Sequence, residues 1–319
     1  MKEIFLWKFI ESNLKENNSL ILTVVADHKK GSPGKQGFKM AVSSNGDTAG
    51  SIGGGIMEYN IINECQKLLK KNISISELKT LYHNNRRNTE SSGLICSGSQ
   101  TNISLSIKKK DLKTIKDIRH AFSENSKGII SFSLSGISFI PGKKKLSQFS
   151  FEYSRESEWK FEQATGVKNI VYIIGGGHVG AAVCRILYLL DFYIIVYDNR
   201  KKLSAFGETA CADKAITGAY NNLGKVIEGD SFVVIVTSGF ESDKDALIQV
   251  IRKNVKYIGL MGTRAKIKKI FSEIRKEGIA KELLKKVHAP IGIDINSGTP
   301  EEIAVSIAAE IIKEKNRTC

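Results

Sequence analysis

The sequence predicts an α/β chain of two domains: an N-terminal α+β domain, then a doubly wound parallel sheet. Three observations predict this. The chain has 319 residues, about twice the ~150 of a typical domain. Short β-type runs and turn residues dominate its first part, whereas strand and helix patterns alternate from residue 169 onward. Finally, the apolar run Ile170–Ile174 passes straight into a glycine-rich turn that opens a helix, the joint of a βαβ unit.

In chain order, an amphipathic helix is expected over residues 3–16, then a strand at Leu20–Ala26 and a turn at Lys30-Gly31-Ser32-Pro33-Gly34. Phe38–Val42 and Thr48–Ile52 flank Asn45-Gly46-Asp47, a hairpin signal because Asn-Gly tolerates the positive φ of such turns. Gly53-Gly54-Gly55 precedes a helix in which Ile56, Tyr59, Ile62 and Leu69 recur at helical spacing. Short β-type runs follow at Leu94–Cys96, Asn102–Ile107, Gly128–Leu134 and Ile137–Ile140, which closes an α+β domain over residues 1–140. Residues 141–168 are a linker or peripheral segment, and within them the polar, weakly periodic stretch from Pro141 to Thr165 reads as either a linker or a peripheral hairpin.

The second domain, residues 169–319, starts with Ile170–Ile174, continuously apolar as a strand covered on both faces must be. Strands are expected again at Tyr193–Tyr197, Phe232–Thr237 and Tyr257–Leu260, with helices at Gly180–Leu190, Asp243–Arg252 and Arg264–Lys276. Thr299-Pro300-Glu301-Glu302 announces the last helix, with Thr299 as cap, Pro300 at the first position and Glu302 completing a capping box. Right-handed crossovers make this half a doubly wound sheet.

Composition narrows the function. A hydrophobic fraction of 41% and a charged fraction of 25% exclude a disordered or collagen-like chain. The net charge of +15 favours anionic partners such as phosphorylated small molecules, nucleic acid or an acidic protein surface. No helix-turn-helix or aromatic RNA-binding motif accompanies it, so no nucleic-acid role is expected. The five cysteines are widely spaced without a C-x-x-C pair, which is read as neither a zinc nor a disulfide framework and fits a reducing compartment. Neither a signal peptide nor a membrane span is expected, and the localisation expected is cytoplasmic.

Gly175-x-Gly177-x-x-Gly180 follows a strand, opens a helix and precedes Asp198 at the end of the next strand. The first glycine permits the tight turn, the second lets backbone approach a pyrophosphate, and the third lets helix and strand pack closely. Asp198 is placed to accept hydrogen bonds from a ribose diol, and His178 lies in the first helical turn. This is a Rossmann-like dinucleotide fingerprint; its plainer reading is helix–sheet packing without a nucleotide. Gly53, Gly54 and Gly55 form a second glycine turn, but Glu58 stands where a dinucleotide fingerprint has glycine, so this is no second NAD site. Glu58 either complements the helix dipole or accepts hydrogen bonds from an amino-pyrimidinone edge such as a pterin presents. Lys35 and Lys39 could neutralise a phosphate, or be ordinary strand lysines. Cys96 is either a buried small hydrophobe or a thiolate activated by a glycine-bearing turn. Arg264, after Gly262-Thr263, could hold a phosphate bidentately. No catalytic acid–base or nucleophile–base pair and no metal cluster is evident.

Together these segments resemble the XdhC/CoxI family, maturation factors for molybdenum hydroxylases such as xanthine dehydrogenase. The resemblance rests on Gly31-Ser32-Pro33 through Gly37-Phe38-Lys39-Met40 and on Gly50-Ser51-Ile52-Gly53-Gly54-Gly55 with Glu58. In the second half it rests on Gly175–Gly180, on Tyr257–Arg264, and on the run from Val287-His288-Ala289-Pro290-Ile291-Gly292 to Thr299–Ala304. It implies a chaperone that binds the molybdenum cofactor (molybdopterin, or a dinucleotide form), assists its sulfuration and inserts it into an apo molybdenum hydroxylase. It also implies a cysteine desulfurase as second partner, a homodimer, and Cys96 as a molybdenum ligand. Ser97 replaces the first glycine of the family's Cys-Gly-Gly segment, and Asn296-Ser297-Gly298 departs from the usual residues before Thr-Pro. The alternative is an NAD(P)-dependent oxidoreductase using the same fingerprint.

Overall fold

A computed structural model describes residues 3–82, 98–143, 147–166, 169–200 and 211–317. The chain divides into two compact units, Met1–Val167 and Lys168–Cys319.

The first unit runs α1 (Glu3–Lys15), β1 (Leu20–His28), β2 (Lys39–Ser43), β3 (Thr48–Ser51), α2 (Gly55–Lys70), β4 (Ser76–Tyr82) and β5 (Ser99–Ile107). It continues through α3 (Leu112–Ser123), β6 (Gly128–Ser133), β7 (Gly136–Pro141), β8 (Phe149–Arg155) and β9 (Glu158–Thr165). Five antiparallel strands form a sheet in the order β3-β2-β1-β5-β4, with β1 at its centre. Central β1 is apolar on both faces and is covered on both. Leu20, Leu22, Val24 and Ala26 pack toward α1 and α3, while Ile21 and Val25 pack with Met57 and Cys65 of α2. Burial pushes the Cys65 thiol up to about 12, so it behaves as a small hydrophobe. Trp7 of α1 stacks on Phe122 of α3, with ring centroids 6.3 Å apart.

A second antiparallel sheet, β7-β6-β9-β8, shares the α1/α3 core. Of the two readings of residues 141–168 the hairpin is the one that forms, as β8 and β9, but it is not peripheral. In β9, Trp159 and Phe161 alternate with Lys160 and Glu162, and the two aromatic rings lie in the core. The polar alternate positions dilute the composition without weakening the strand, because only one of its faces is buried.

The second unit runs β10 (Ile170–Ile174), α4 (His178–Leu189), β11 (Tyr193–Asp198), β12 (Lys214–Thr217), α5 (Leu223–Val226), β13 (Phe232–Ile235) and α6 (Phe240–Val250). It ends with β14 (Tyr257–Leu260), α7 (Arg264–Lys276), α8 (Lys281–Leu284), β15 (Val287–His288) and α9 (Pro300–Lys315). Its parallel sheet has the order β12-β11-β10-β13-β14-β15. Counted from β10, that is 3-2-1-4-5-6, the doubly wound order with its switch point between β10 and β13. One face carries α4 and α9, the other α5 to α8. The capping box of α9 is formed: Thr299 Oγ1 accepts from the Glu302 amide at 3.2 Å, and Glu302 accepts from the Thr299 amide at 3.0 Å.

Cys184 of α4 and Cys211 form a disulfide, with Cα atoms 6.3 Å apart. Cysteine spacing did not announce this pair, because the two residues are 27 apart in sequence and meet only in the fold. Among the described residues no helix is long and apolar enough to cross a membrane.

Candidate functional site

In the first unit, three loops converge on Gln100. Its Nε2 donates to the Ile52 carbonyl at 3.0 Å, and its Oε1 accepts from Ser32 Oγ at 3.0 Å. The loops meet so closely that side chains are excluded. A Cβ on Gly34 would lie 2.2 Å from the Ile52 oxygen, and one on Gly53 only 2.6 Å from the Gly34 nitrogen. Gly53, Gly54 and Gly55 all take positive φ, at 129°, 75° and 70°, a path L side chains resist. Glu58 lies on the first turn of α2 and folds back over this loop. Its Oε2 accepts from Ser51 Oγ at 2.7 Å and from the Ile52 and Gly54 amides at 2.8 and 3.0 Å. One oxygen thus organises the glycine turn, and Oε1 has no hydrogen-bond partner among the described residues. The open space at the Gly54 Cβ position marks the outer side of the turn.

Lys39 does not join this turn as a phosphate ligand. Its buried ammonium pairs with Glu3 at 2.7 Å and donates to the Gly37 carbonyl at 2.8 Å, which ties β2 to α1. A buried cation needs such partners, and here a carboxylate and a carbonyl supply them. Lys35 is exposed. Cys96 lies outside the described residues.

In the second unit the fingerprint glycines divide the work. A Cβ on Gly175 would sit 2.6 Å from the Val236 oxygen, and one on Gly180 would sit 1.9 Å from the Gly175 oxygen. Both glycines are needed for packing. At Gly177 the nearest atom to such a Cβ is a guanidinium nitrogen of Arg200 at 3.9 Å, so this glycine faces open space at the switch point. Exposed His178 is the first residue of α4, and Arg264, also exposed, is the first residue of α7.

Asp198 departs from the sequence expectation. Its side chain is 0% exposed, so it cannot meet a ribose diol. Oδ2 accepts from the Gly176 amide at 2.7 Å and from Arg200 Nη2 at 2.9 Å. Oδ1 accepts from the Arg200 amide and Nε, each at 2.9 Å. Burial pushes the Asp198 carboxyl upward, but the hydrogen bonds and charge of Arg200 and the Gly176 amide outweigh it and hold it below its ordinary value. The same pairing raises Arg200. The arginine remains 45% exposed, so this edge presents a cation to solvent in place of a carboxylate.

Sequence reading missed Arg200, although it follows Asp198 by two residues. It also missed Thr237, Asp243 and Lys266 near the β13 end. Buried Asp243 accepts from Thr237 Oγ1 at 2.5 Å and pairs with Lys266 of α7. Burial raises the Asp243 carboxyl in spite of these partners. The polar run Thr237-Ser238-Gly239 at a strand's carboxyl end was the available signal.

The run after Val287 serves the scaffold. Glu310 of α9 accepts from Tyr257 Oη at 2.6 Å and from the Gly292 amide at 2.7 Å, and it pairs with His288 Nδ1 at 3.1 Å. Burial raises Glu310, but these donors bring it below its ordinary value. Gly259 leaves room for Ile291, whose Cδ1 would lie 2.3 Å from a Cβ there.

Comparison with known proteins places these features. Residues 171–311 match the XdhC Rossmann domain, and residues 14–78 match the XdhC and CoxI family domain. An uncharacterized protein of Escherichia coli K12, YqeB, is 32% identical over 161 residues, 49% of this chain and 29% of that protein. A protein of Bacillus subtilis 168 named as a probable xanthine dehydrogenase subunit is 27% identical over 161 residues, 49% of this chain and 46% of that protein. The matches thus span less than half the length of either relative. A crystal structure described as a xanthine dehydrogenase, from Bacillus halodurans, superposes with a TM-score of 0.75 at 20% identity. It covers 100% of this chain and 97% of that one, a likeness of fold. With both characteristic domains in their expected order, the chain belongs to the XdhC and CoxI family.

Proposed function

We propose that this chain is a maturation factor for a xanthine dehydrogenase-type molybdenum hydroxylase. It takes the molybdenum cofactor as cargo in the cytoplasm, holds it while a cysteine desulfurase supplies the terminal sulfur, and passes it to the apo-hydroxylase. It works as a homodimer. The family and the name of the Bacillus subtilis relative support a role around xanthine dehydrogenase.

The observation that carries the finer reading is the capture of Asp198 by Arg200 beside the open Gly177 turn. An NAD-dependent oxidoreductase needs an accessible carboxylate for the ribose diol, and here that carboxylate is buried and saturated. The cargo's phosphate, or the pyrophosphate of a dinucleotide form, fits a half-exposed guanidinium over a glycine without Cβ. The first unit, taken by itself, offers a separate candidate acceptor, Glu58 Oε1, beside the Gly53–Gly55 turn. The cargo brings its own redox centre, and the chain's residues bind and orient it.

Arg200 also favours a second reading, an NADP-dependent oxidoreductase, because a 2′-phosphate is likewise an anion. Reconstitution separates the two. Apo-hydroxylase is mixed with molybdenum cofactor and a sulfur source, with and without this protein, and xanthine oxidation is followed. Faster activation that falls in Arg200→Ala supports the maturation reading. Equal activation with and without the protein defeats it, and substrate-dependent NADPH oxidation by the protein alone establishes the rival.

A further inference from the structure

Away from the glycine turns, a cavity of about 840 Å³ opens between α7, α8 and the Ala289-Pro290 segment. Its floor is apolar: Ile267 and Leu284 are buried in the core beneath, Phe271 and Ala289 are half-buried, and Pro290 closes one side. Its rim is cationic: Arg264, Lys268, Arg275 and Lys276 from α7, and Lys281 and Lys285 from α8. All six are exposed, and none has an acidic partner among the described residues. Among the described residues no carboxylate lines the cavity.

The geometry points to a docking groove for an acidic amphipathic helix of a partner protein. The rim charges are spread along the groove. From Arg264 to Arg275 the axis of α7 advances about 16 Å, three turns of helix, so these cations cannot converge on one phosphate. They match instead a segment that repeats carboxylates along its length, and the floor offers that segment a strip for its apolar face. Rim charges of this kind steer the encounter and fix orientation, while the desolvated apolar floor supplies affinity. Nucleic acid would satisfy the rim but gain little from an aliphatic floor that offers a single aromatic ring. A second copy of this chain, at a net charge of +15, brings the wrong overall sign.

The test uses the full chain and a fluorescein-labelled peptide of about fourteen residues, four helical turns, with Leu and Glu on opposite faces. Fluorescence anisotropy at about physiological salt measures its affinity. The Lys268→Glu/Arg275→Glu variant is expected to bind about tenfold more weakly or worse while melting as the parent does. Lys110→Glu/Lys113→Glu, in the first unit, should leave the affinity unchanged. Peptides with Leu replaced by Ser, or Glu by Gln, should each lose about tenfold as well. Unchanged affinity in the groove variant overturns the proposal, and so does a serine peptide that binds as tightly as the leucine one. An oligothymidylate that binds more tightly than the peptide and loses that affinity in the same variant overturns it in favour of nucleic acid.

Discussion

Replacing Asp198 with Ala removes the acceptor that joins the glycine turn to the end of β11. The Gly176 amide is left buried without a partner, which costs about 1–3 kcal/mol. The Arg200 guanidinium loses two charge-assisted bonds, but its side chain is 45% exposed and rehydrates, so about 1 kcal/mol more is lost there. The sum, about 2–4 kcal/mol, corresponds to a fall of about 4–16 °C in the melting temperature of a unit near 150 residues. Calorimetry of the full chain at neutral pH reads this directly. The pH dependence follows from the sign of the shift. The folded carboxyl lies below its unfolded value, so its contribution is complete above about pH 4 and disappears as pH falls through the folded value. The gap between parent and variant should therefore be flat near neutrality and close in acid. A variant melting within about 1 °C of the parent, or a gap that widens in acid, would refute the assignment of Asp198 as a structural anchor.

Three other predictions follow from the same geometry. Gly177→Ala should melt like the parent yet bind anions more weakly, whereas Gly180→Ala should lose about 1–3 kcal/mol or more, since its Cβ collides with the Gly175 oxygen. Equal melting of the two, read by circular dichroism, would contradict that division of labour. Lys39→Met should lower stability in urea by about 1–3 kcal/mol, because Glu3 keeps its bonds from Trp7 and Gln163 but loses its cation, and leave ligand affinity intact; lost affinity in the folded variant would restore a binding role. Reducing the Cys184–Cys211 bridge, which spans 27 residues, should lower stability by up to about 3.5 kcal/mol on the chain-entropy argument. Cys184→Ser should show the same loss and no response to reductant, and a parent insensitive to reductant would mean the two thiols are unpaired in solution.

What was legible in the sequence was what local chemistry dictates. Ile170–Ile174 with its glycine turn, and Thr299 with Glu302, are each specified within a few residues, and both formed as read. The β9 hairpin was legible only as an alternative to a linker, because Glu158, Lys160 and Glu162 dilute a run whose alternate residues are core. The glycine turns were legible in place, but the partners of the side chains beside them were not. That Asp198 ends a strand beside the glycine turn is a matter of spacing. That its carboxylate turns inward, to Arg200 and the Gly176 amide, depends on a rotamer chosen by tertiary packing. Likewise, nothing near Lys39 in sequence announces Glu3, which reaches it only because α1 crosses β2.

The central claim, that this chain carries a molybdenum cofactor, is tested most directly by what it holds. The protein is purified anaerobically from cells that make the cofactor, with and without the Arg200→Ala substitution. It is then denatured, and the released material is identified by mass spectrometry and metal analysis. Molybdopterin with molybdenum is expected from the parent, and much less from the variant. NADP or NAD released in place of the pterin would contradict the claim.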